Sequence, residues 1–502
     1  LASLKKLAGQ TVWYGLSNIA AKLLNYILTP LVTYLLNSPQ GQVDYGDYSV
    51  IYAAISFVNI VYTYGLETAY FRFASASSDH KKLFQTTFTS LLVSTVILSP
   101  ILYLLRVPIN NFLGLGAHPE YISWAIAVIA LDTLSVIPFA KLRQEERPRK
   151  YAFTKVAGVI LNILLTIFFI YYSPEYVLKH PGSAYAHWYK QYDNTGFLVL
   201  ANLAQSALTF LLLWKEWLGY RFKFDGELWR KVMWYCSPMI VTGLGGMVNE
   251  TIDRIMLRKL LPVSADAART AVAIYGANYK IAIFVTLFIQ AFRMSAEPFF
   301  FSQSSDKNAP KTYARVMKWF VITLCIAFLF TALYLDIWKY MVGSDYRKGL
   351  GVVPILLCAN VALGIYYNLN VWYKITDRMR IGMYITLVGA TLTLILNFAF
   401  IPKYGMYACA WATLAAYGSM MVISYFVGQK FFPVPYNVKK LLAYLTIMLL
   451  LFFVEKGVVH LTHSFIIRVG AATILMFLFL YLVFTVEKKE LRSLPFVGKL
   501  IR

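Results

Sequence analysis

Apolar residues along this chain gather in long blocks, and polar residues crowd into the short gaps between them. A run of roughly 20 apolar residues is long enough to cross the hydrocarbon core of a bilayer as an α-helix. About fourteen such runs stand out. They lie near 10–36, 46–71, 83–105, 120–141, 152–173, 196–216, 232–258, 270–300, 313–341, 351–373, 380–401, 405–429, 437–459 and 464–486. The expected fold is an all-α polytopic membrane protein with about 14 transmembrane helices. The longest gap, 174–195, contains Pro174, His180, Pro181, Trp188 and Tyr189, and is expected to hold a short surface helix. No gap is large enough for a soluble catalytic domain.

Composition sharpens this picture. The 502 residues are 59% hydrophobic and 14% charged, with a mean hydropathy of +0.58. A soluble domain carries roughly 25% charged residues, so soluble, disordered, collagen-like and disulfide-scaffold classes are excluded. The 47 Lys and Arg outnumber the 24 Asp and Glu, a surplus of +23. In a soluble protein that surplus would suggest nucleic acid as a partner; in a polytopic one it reads as cytoplasmic loops. Alternate gaps carry the bases: Arg72, Lys81, Lys82; Lys141 to Lys150; Arg221, Lys223, Arg230, Lys231; Lys307, Lys311, Arg315; Lys374, Arg378, Arg380; and Lys430, Lys439, Lys440. The gap around Asp44 and Asp47 carries none and is assigned to the outer side. Both termini therefore fall on the cytoplasmic side of a bacterial inner membrane, which requires an even number of spans. Lys5 and Lys6 lead into a long amphipathic span without an A-x-A site, so the first span is expected to be retained.

Soluble-enzyme chemistry finds little support. Cys236, Cys325, Cys358 and Cys409 lie far apart within apolar runs, without C-x-x-C spacing. The six histidines form no H-E-x-x-H pattern. No catalytic residue and no metal site is expected.

A weak internal repeat is present. A shift of 230 residues places Tyr45-Gly46 on Tyr275-Gly276, Glu67 on Glu297 and Phe71 on Phe301. A shift of 233 places Lys141 on Lys374 and Arg147 on Arg380. The division expected from it is a six-span lobe over 1–220, a second over 221–430, and two further spans with a cytoplasmic tail over 431–502. Related halves flanking a midplane site are a common transporter plan.

Charges inside spans are costly, roughly 2.5–3.5 kcal/mol each on insertion scales, and so should face a cavity or a partner. Lys22 lies halfway along the first span and shares a face with Asn18 and Asn25. Glu67 and Arg72 end the second, and Asp132 lies in the fourth. The seventh carries Glu250, Asp253 and Arg254 at i, i+3 and i+4; the eighth carries Lys280, Arg293 and Glu297. An internal ion pair is an equally good reading for the seventh span and for Arg293 with Glu297, and a snorkelling anchor for Arg72. Pro238 followed by Gly243, Gly245 and Gly246 reads either as close helix packing or as a hinge. Tyr275 and Tyr279 are placed to stack on sugar rings.

Several stretches resemble Wzx-type polysaccharide flippases of the multidrug/oligosaccharidyl-lipid/polysaccharide exporter (MOP) superfamily. They are Tyr45-Gly46-Asp47-Tyr48, Gly65 through Phe73 (GLETAYFRF), Ser237-Pro238 through Asp253-Arg254, and Ile274-Tyr275-Gly276 to Tyr279-Lys280. Tyr366-Tyr367-Asn368 to Trp372-Tyr373-Lys374 and Asn397 with Ile401 to Gly405 continue the series across nearly the whole chain. The resemblance implies a V-shaped two-lobed bundle with a cationic cavity, moving undecaprenyl-pyrophosphate-linked saccharide between leaflets for O-antigen, capsule or exopolysaccharide synthesis. A pyrophosphate headgroup needs fixed positive charge. Lys22, Arg72, Arg254, Lys280 and Arg293 are the headgroup candidates; Glu67, Glu250, Asp253 and Glu297 are candidates for cation coupling or for holding those bases. Coupling to Na⁺ or H⁺ is left open. A monomer is expected, with the lipid-linked glycan, the bilayer and polysaccharide polymerase machinery as partners and no nucleic acid. A MurJ-like lipid II flippase, a MATE-type cation-coupled drug antiporter and a membrane polymerase or ligase are the rivals. MurJ-like flippases usually carry a basic cluster in the first span, here Lys22 alone. MATE-type exporters usually have 12 spans and an acidic cavity, and a polymerase would require a large catalytic loop.

Overall fold

In a computed structural model of the protein, the described residues are 26–76, 79–145, 147–303, 306, 308–376, 378–462 and 464–492. They form a succession of helices: α1 (Tyr26–Leu35), α2 (Pro39–Thr63), α3 (Leu66–Ala76), α4 (His80–Leu104), α5 (Arg106–Leu113), α6 (Glu120–Gln144) and α7 (Pro148–Ile167). After a π-helical turn at Phe168–Tyr172 come α8 (Ser173–Lys179), α9 (Ala184–Tyr189), α10 (Asn194–Leu212), α11 (Trp214–Trp217), α12 (Gly226–Leu260), α13 (Ala265–Ala282) and α14 (Phe284–Gln303). Next are α15 (Ala309–Ala332), α16 (Leu335–Trp338), α17 (Val353–Leu369), α18 (Val371–Ile375), α19 (Met379–Tyr404), α20 (Met406–Phe431), α21 (Val438–Leu461) and α22 (Phe465–Arg492). No strand occurs among the described residues.

Short polar gaps work as helix starts. Ser38, Asp79, Asp193, Asp225 and Asn437 each accept a backbone N–H of the first turn with their side chains, which satisfies one otherwise orphaned donor per helix. Pro39, Pro148 and Pro354 occupy first-turn positions, where a missing N–H costs nothing. The 174–195 gap is mostly helical, holding α9 and the end of the preceding helix.

Among the described residues eleven helical stretches are long and apolar enough to cross a membrane, twelve if α13 and the start of α14, bent by 47°, count as one span. The protein is thus a multi-pass membrane protein. Two of the fourteen expected runs are not among these. The run 10–36 falls largely outside the described residues, leaving only the short α1. The run 232–258 forms α12, a 35-residue helix, but Pro238, three glycines, Asn249 and the charges from Glu250 onward dilute its apolar character.

The chain divides into two compact units. The first comprises Leu1–Ala277, Val342–Lys348 and Met379–Ala412; the second comprises Asn278–Met341, Gly349–Arg378 and Thr413–Arg502. In the first unit α12 packs along α19, and α10 packs against α6 and α7. Gly245 lets Thr386 Cγ2 come to 3.1 Å of where a Cβ would stand, and Gly243 does the same for Ile60 Cγ2 at 3.0 Å. The helix runs unbroken through this stretch, so these two glycines act in close packing. In the second unit α15 packs on α17 and α21, and α21 on α22. Cys236, Cys325 and Cys409 are buried and all four cysteines are free thiols, as their apolar surroundings imply.

Candidate functional site

The first cluster is built by a break in a long apolar stretch. Tyr64 and Gly65 adopt left-handed backbone conformations, φ 34° and +76°, and stop α2. Glycine is the residue for which such a φ is unstrained, and a Cβ on Gly65 would also stand 3.1 Å from Met239 Cβ. The chain restarts as α3 with Leu66, Ala69 and Tyr70 buried and Glu67 and Arg72 exposed. The Arg72 guanidinium lies 4.4 Å above the Tyr235 ring of α12. Glu67 accepts a 2.8 Å hydrogen bond from Arg143 at the end of α6, and Arg143 in turn covers Phe71 at 4.5 Å. Glu67 therefore serves Arg143, a base the intramembrane charge search did not select because it sits past the span end.

The second cluster occupies the far part of α12. From Tyr235 to Arg254 is roughly 28 Å at 1.5 Å per residue, close to the thickness of a hydrocarbon core. Arg72, carried by α3, thus meets α12 about that distance from Arg254. The spacing of Glu250, Asp253 and Arg254 suggested one shared face, but their burial differs. Asp253 is buried and Glu250 is exposed. Arg254 donates to the Glu250 carbonyl at 2.8 Å and to Asp253 Oδ1 at 3.2 Å. Tyr275 donates to the other Asp253 oxygen at 2.5 Å. Tyr275 is fully buried and Tyr279 nearly so, so neither is an open platform for a sugar ring.

One turn further along, the structure adds an ionic knot that spacing alone did not reveal. Arg258 Nη1 donates to Asp47 Oδ1 at 2.6 Å, and Arg269 Nε lies 3.2 Å from the same oxygen. Both arginines also donate to the carbonyl of Gly114, the left-handed residue that ends α5. Asp47 is 4% exposed. It lies in the first turns of α2 and not in a loop, because α2 begins at Pro39. Gly46 is what brings α13 so near: a Cβ there would stand 2.2 Å from the Arg269 carbonyl oxygen. The i+4 step from Arg254 to Arg258 was the available signal for this group.

Among the α2, α6, α7 and α10 helices of the first unit lies a polar seam. Asn202 donates to Tyr48 Oη at 2.9 Å and accepts from Tyr52. Ser206 hydrogen-bonds Asp132, which also feels the Lys155 ammonium, and Lys155 lies 4.3 Å from the Phe139 ring. Asp132 was evident as an intramembrane charge. Lys155 was not, since it sits two turns inside a helix that opens with other bases.

Of the remaining candidates, Lys280 and Arg293 belong to the second unit. Lys280 is exposed. The Arg293 guanidinium lies 4.2 Å over the Tyr367 ring. Lys22 and the side chain of Glu297 lie outside the described residues. Among the described residues no cluster of His, Cys, Asp or Glu is arranged to hold a metal.

Beyond the spans, Glu216 of α11 is buried and gathers three bases: Lys150 at 2.6 Å, Arg147 at 2.9 Å and Lys141 at 3.5 Å. Burial pushes its carboxyl up, but the three cations outweigh burial and hold it below the usual glutamate range. In the second unit, Asp336 is likewise raised by burial and brought below its ordinary value by Lys339 and Arg468. Glu487 of α22, also buried, takes Lys318, Lys440 and Tyr444 at 2.6–2.7 Å.

Comparison with known proteins agrees with this architecture. The structure described as "Lipid II flippase MurJ, inward closed conformation" is similar over 94% of this chain and 99% of its own, with a TM-score of 0.69 and 14% identity. An inward-facing multidrug resistance MATE family transporter of the MOP superfamily matches 82% of this chain and 94% of its own, with a TM-score of 0.58 and 13% identity. An outward-facing structure of a multidrug resistance MATE family transporter of the same superfamily matches 85% and 95%, with a TM-score of 0.57 and 13% identity. No curated protein sequence matches the chain. The sequence profile of the family described as "Polysaccharide biosynthesis protein" matches residues 7–304. With more than half of its length matched, the chain belongs to the polysaccharide biosynthesis protein family, built on the all-helical fold of the MOP superfamily transporters.

Proposed function

We propose that the protein is a Wzx-type flippase that moves undecaprenyl-pyrophosphate-linked oligosaccharide across the bacterial inner membrane for surface polysaccharide synthesis. The family match over residues 7–304 carries this reading. The geometry supports it: Arg72 and Arg293 each rest on a tyrosine ring. A guanidinium so held is oriented by the ring and keeps its full positive charge, which an anionic headgroup requires. Arg72, beside Tyr235 of α12, and Arg254 are the headgroup candidates of the first unit, Lys280 and Arg293 those of the second, and Lys22 is a further one. The lipid tail stays in the bilayer while the head passes, so no covalent step is involved. Glu67, Glu250, Asp253 and Glu297 hold bases or couple a cation, Na⁺ or H⁺.

The structural likeness to MurJ favours a second reading, lipid II as cargo. A deletion strain separates the two. Loss of surface polysaccharide with viability retained, restored by the wild-type chain, is the expected result. Lysis with accumulated peptidoglycan precursor would replace it with the lipid II reading, and drug sensitivity alone with a MATE-type antiporter.

A further inference from the structure

At the start of α4 and α12 the first unit contains a cleft of about 860 Å³. It is lined by Lys81, Lys82, Arg221 and Lys223 together with Asp79 and Asp225. Both carboxylates are committed locally. Asp79 caps α4 through the Lys82 N–H at 2.9 Å, while Asp225 caps α12 through the Leu228 N–H at 2.9 Å and pairs with the Lys82 ammonium. Among the described residues Lys81, Arg221 and Lys223 take no carboxylate. With four bases against two carboxylates, the cleft keeps a net charge of 4 − 2 = +2.

Its surroundings place it at a lipid surface. Residues 220–225 run without helix, and in Tyr220-Arg221-Phe222-Lys223-Phe224 bases alternate with aromatics. Phe222, Phe224, Trp214 and Leu218 are all exposed. Exposed aromatics beside Lys and Arg at a span end are the composition of a membrane–water interface. The α4 helix is itself a span candidate, so its first turn marks that boundary.

We propose that this cleft binds the phosphate-bearing headgroup of an anionic phospholipid, with Lys81, Arg221 and Lys223 as its ligands. A basic residue at an anionic surface contributes about fivefold in affinity, so three contribute roughly 100-fold. None of the transport candidates lines the cleft, and the test reads lipid binding. Its failure therefore leaves the transport reading untouched.

The detergent-purified full chain is titrated with dioleoyl-phosphatidylglycerol or dioleoyl-phosphatidylcholine, and bound lipid is counted by native mass spectrometry. The triple variant Lys81→Gln/Arg221→Gln/Lys223→Gln should bind phosphatidylglycerol roughly 100-fold more weakly, with phosphatidylcholine binding unchanged and the same gel-filtration profile as wild type. The conservative Arg221→Lys variant should retain binding and guards against a folding artefact. Phosphatidylglycerol affinity within about threefold of wild type in the triple variant, or an equal loss in the control Lys179→Gln/Lys190→Gln/Lys348→Gln, would overturn the proposal. Displacement of the lipid by millimolar inorganic phosphate would overturn it in favour of a soluble phosphate site.

Discussion

The two ends of α12 handle positive charge in different ways. Near Tyr235 the exposed Arg72 and the half-buried Arg143 are held on rings or by an exposed acid: Arg72 on Tyr235, Arg143 on Phe71 and Glu67. Near Leu260 they are interleaved with buried acids: Arg254 with Asp253, and Arg258 and Arg269 with Asp47. A ring leaves a guanidinium's net charge intact, whereas a buried carboxylate cancels most of it. The first end thus offers an approaching anion more net charge than the second, where the ion pairs also tie helices together. Arg254, a headgroup candidate as a base inside a span, sits in the second environment.

The largest expected effect comes from removing the acid at the neutralised end. Asp47→Asn leaves the half-buried Arg258 and Arg269 around one neutral group, and should lower stability by about 3 kcal/mol, read as a large fall in melting temperature in detergent. The double variant Asp47→Asn/Arg258→Gln should regain part of that loss. An unchanged melting temperature in the single variant would dissolve the contrast.

Next in size is Glu216→Gln, which releases three partly exposed bases that can turn to water. The expected cost is about 2 kcal/mol at neutral pH. The folded carboxyl lies below its unfolded value, so its contribution is complete above the unfolded value of roughly 4.3 and fades as pH falls through the folded one. The gap in melting temperature between wild type and variant should therefore narrow below about pH 4. A gap independent of pH would assign the effect to packing.

The smallest effect on stability belongs to the exposed end and is the most informative for function. Arg72→Gln should cost under about 1 kcal/mol in folding yet slow headgroup transfer by at least roughly tenfold in reconstituted vesicles, with Arg72→Lys intermediate. If Arg254→Gln impairs transfer more than Arg72→Gln at unchanged stability, the assignment of the two ends is reversed.

Much of the fold was legible in the chain because lipid leaves the backbone few options: apolar runs of span length become helices. What escaped was where runs stop being apolar while remaining helical. α12 carries Pro238, then Gly243, Gly245 and Gly246, and five charges after Val248, yet holds a single 35-residue helix packed along α19. Conversely, 46–71 read as one span, and only the left-handed Tyr64–Gly65 pair divides it. Intramembrane charges were also visible, and with them the Arg254–Asp253 pair, but not the partners that lie far along the chain. Glu67 was grouped with Arg72 by proximity in sequence, while its hydrogen bond comes from Arg143, 76 residues away. Asp47 looked like a solvated loop residue because its two arginines lie more than 200 residues downstream. Pairing across the chain is a tertiary fact that periodicity does not encode.

The length of α12 has a mechanical side. At 1.5 Å per residue its 35 residues span roughly 52 Å, about 20 Å more than a hydrocarbon core. A continuous rod of that length is a lever: a tilt of about 10° sweeps one tip some 9 Å relative to the other. Breaking the knot at Asp47 would free one tip, and the displacement would be felt at Tyr235 without any chain of intermediate side chains to relay it.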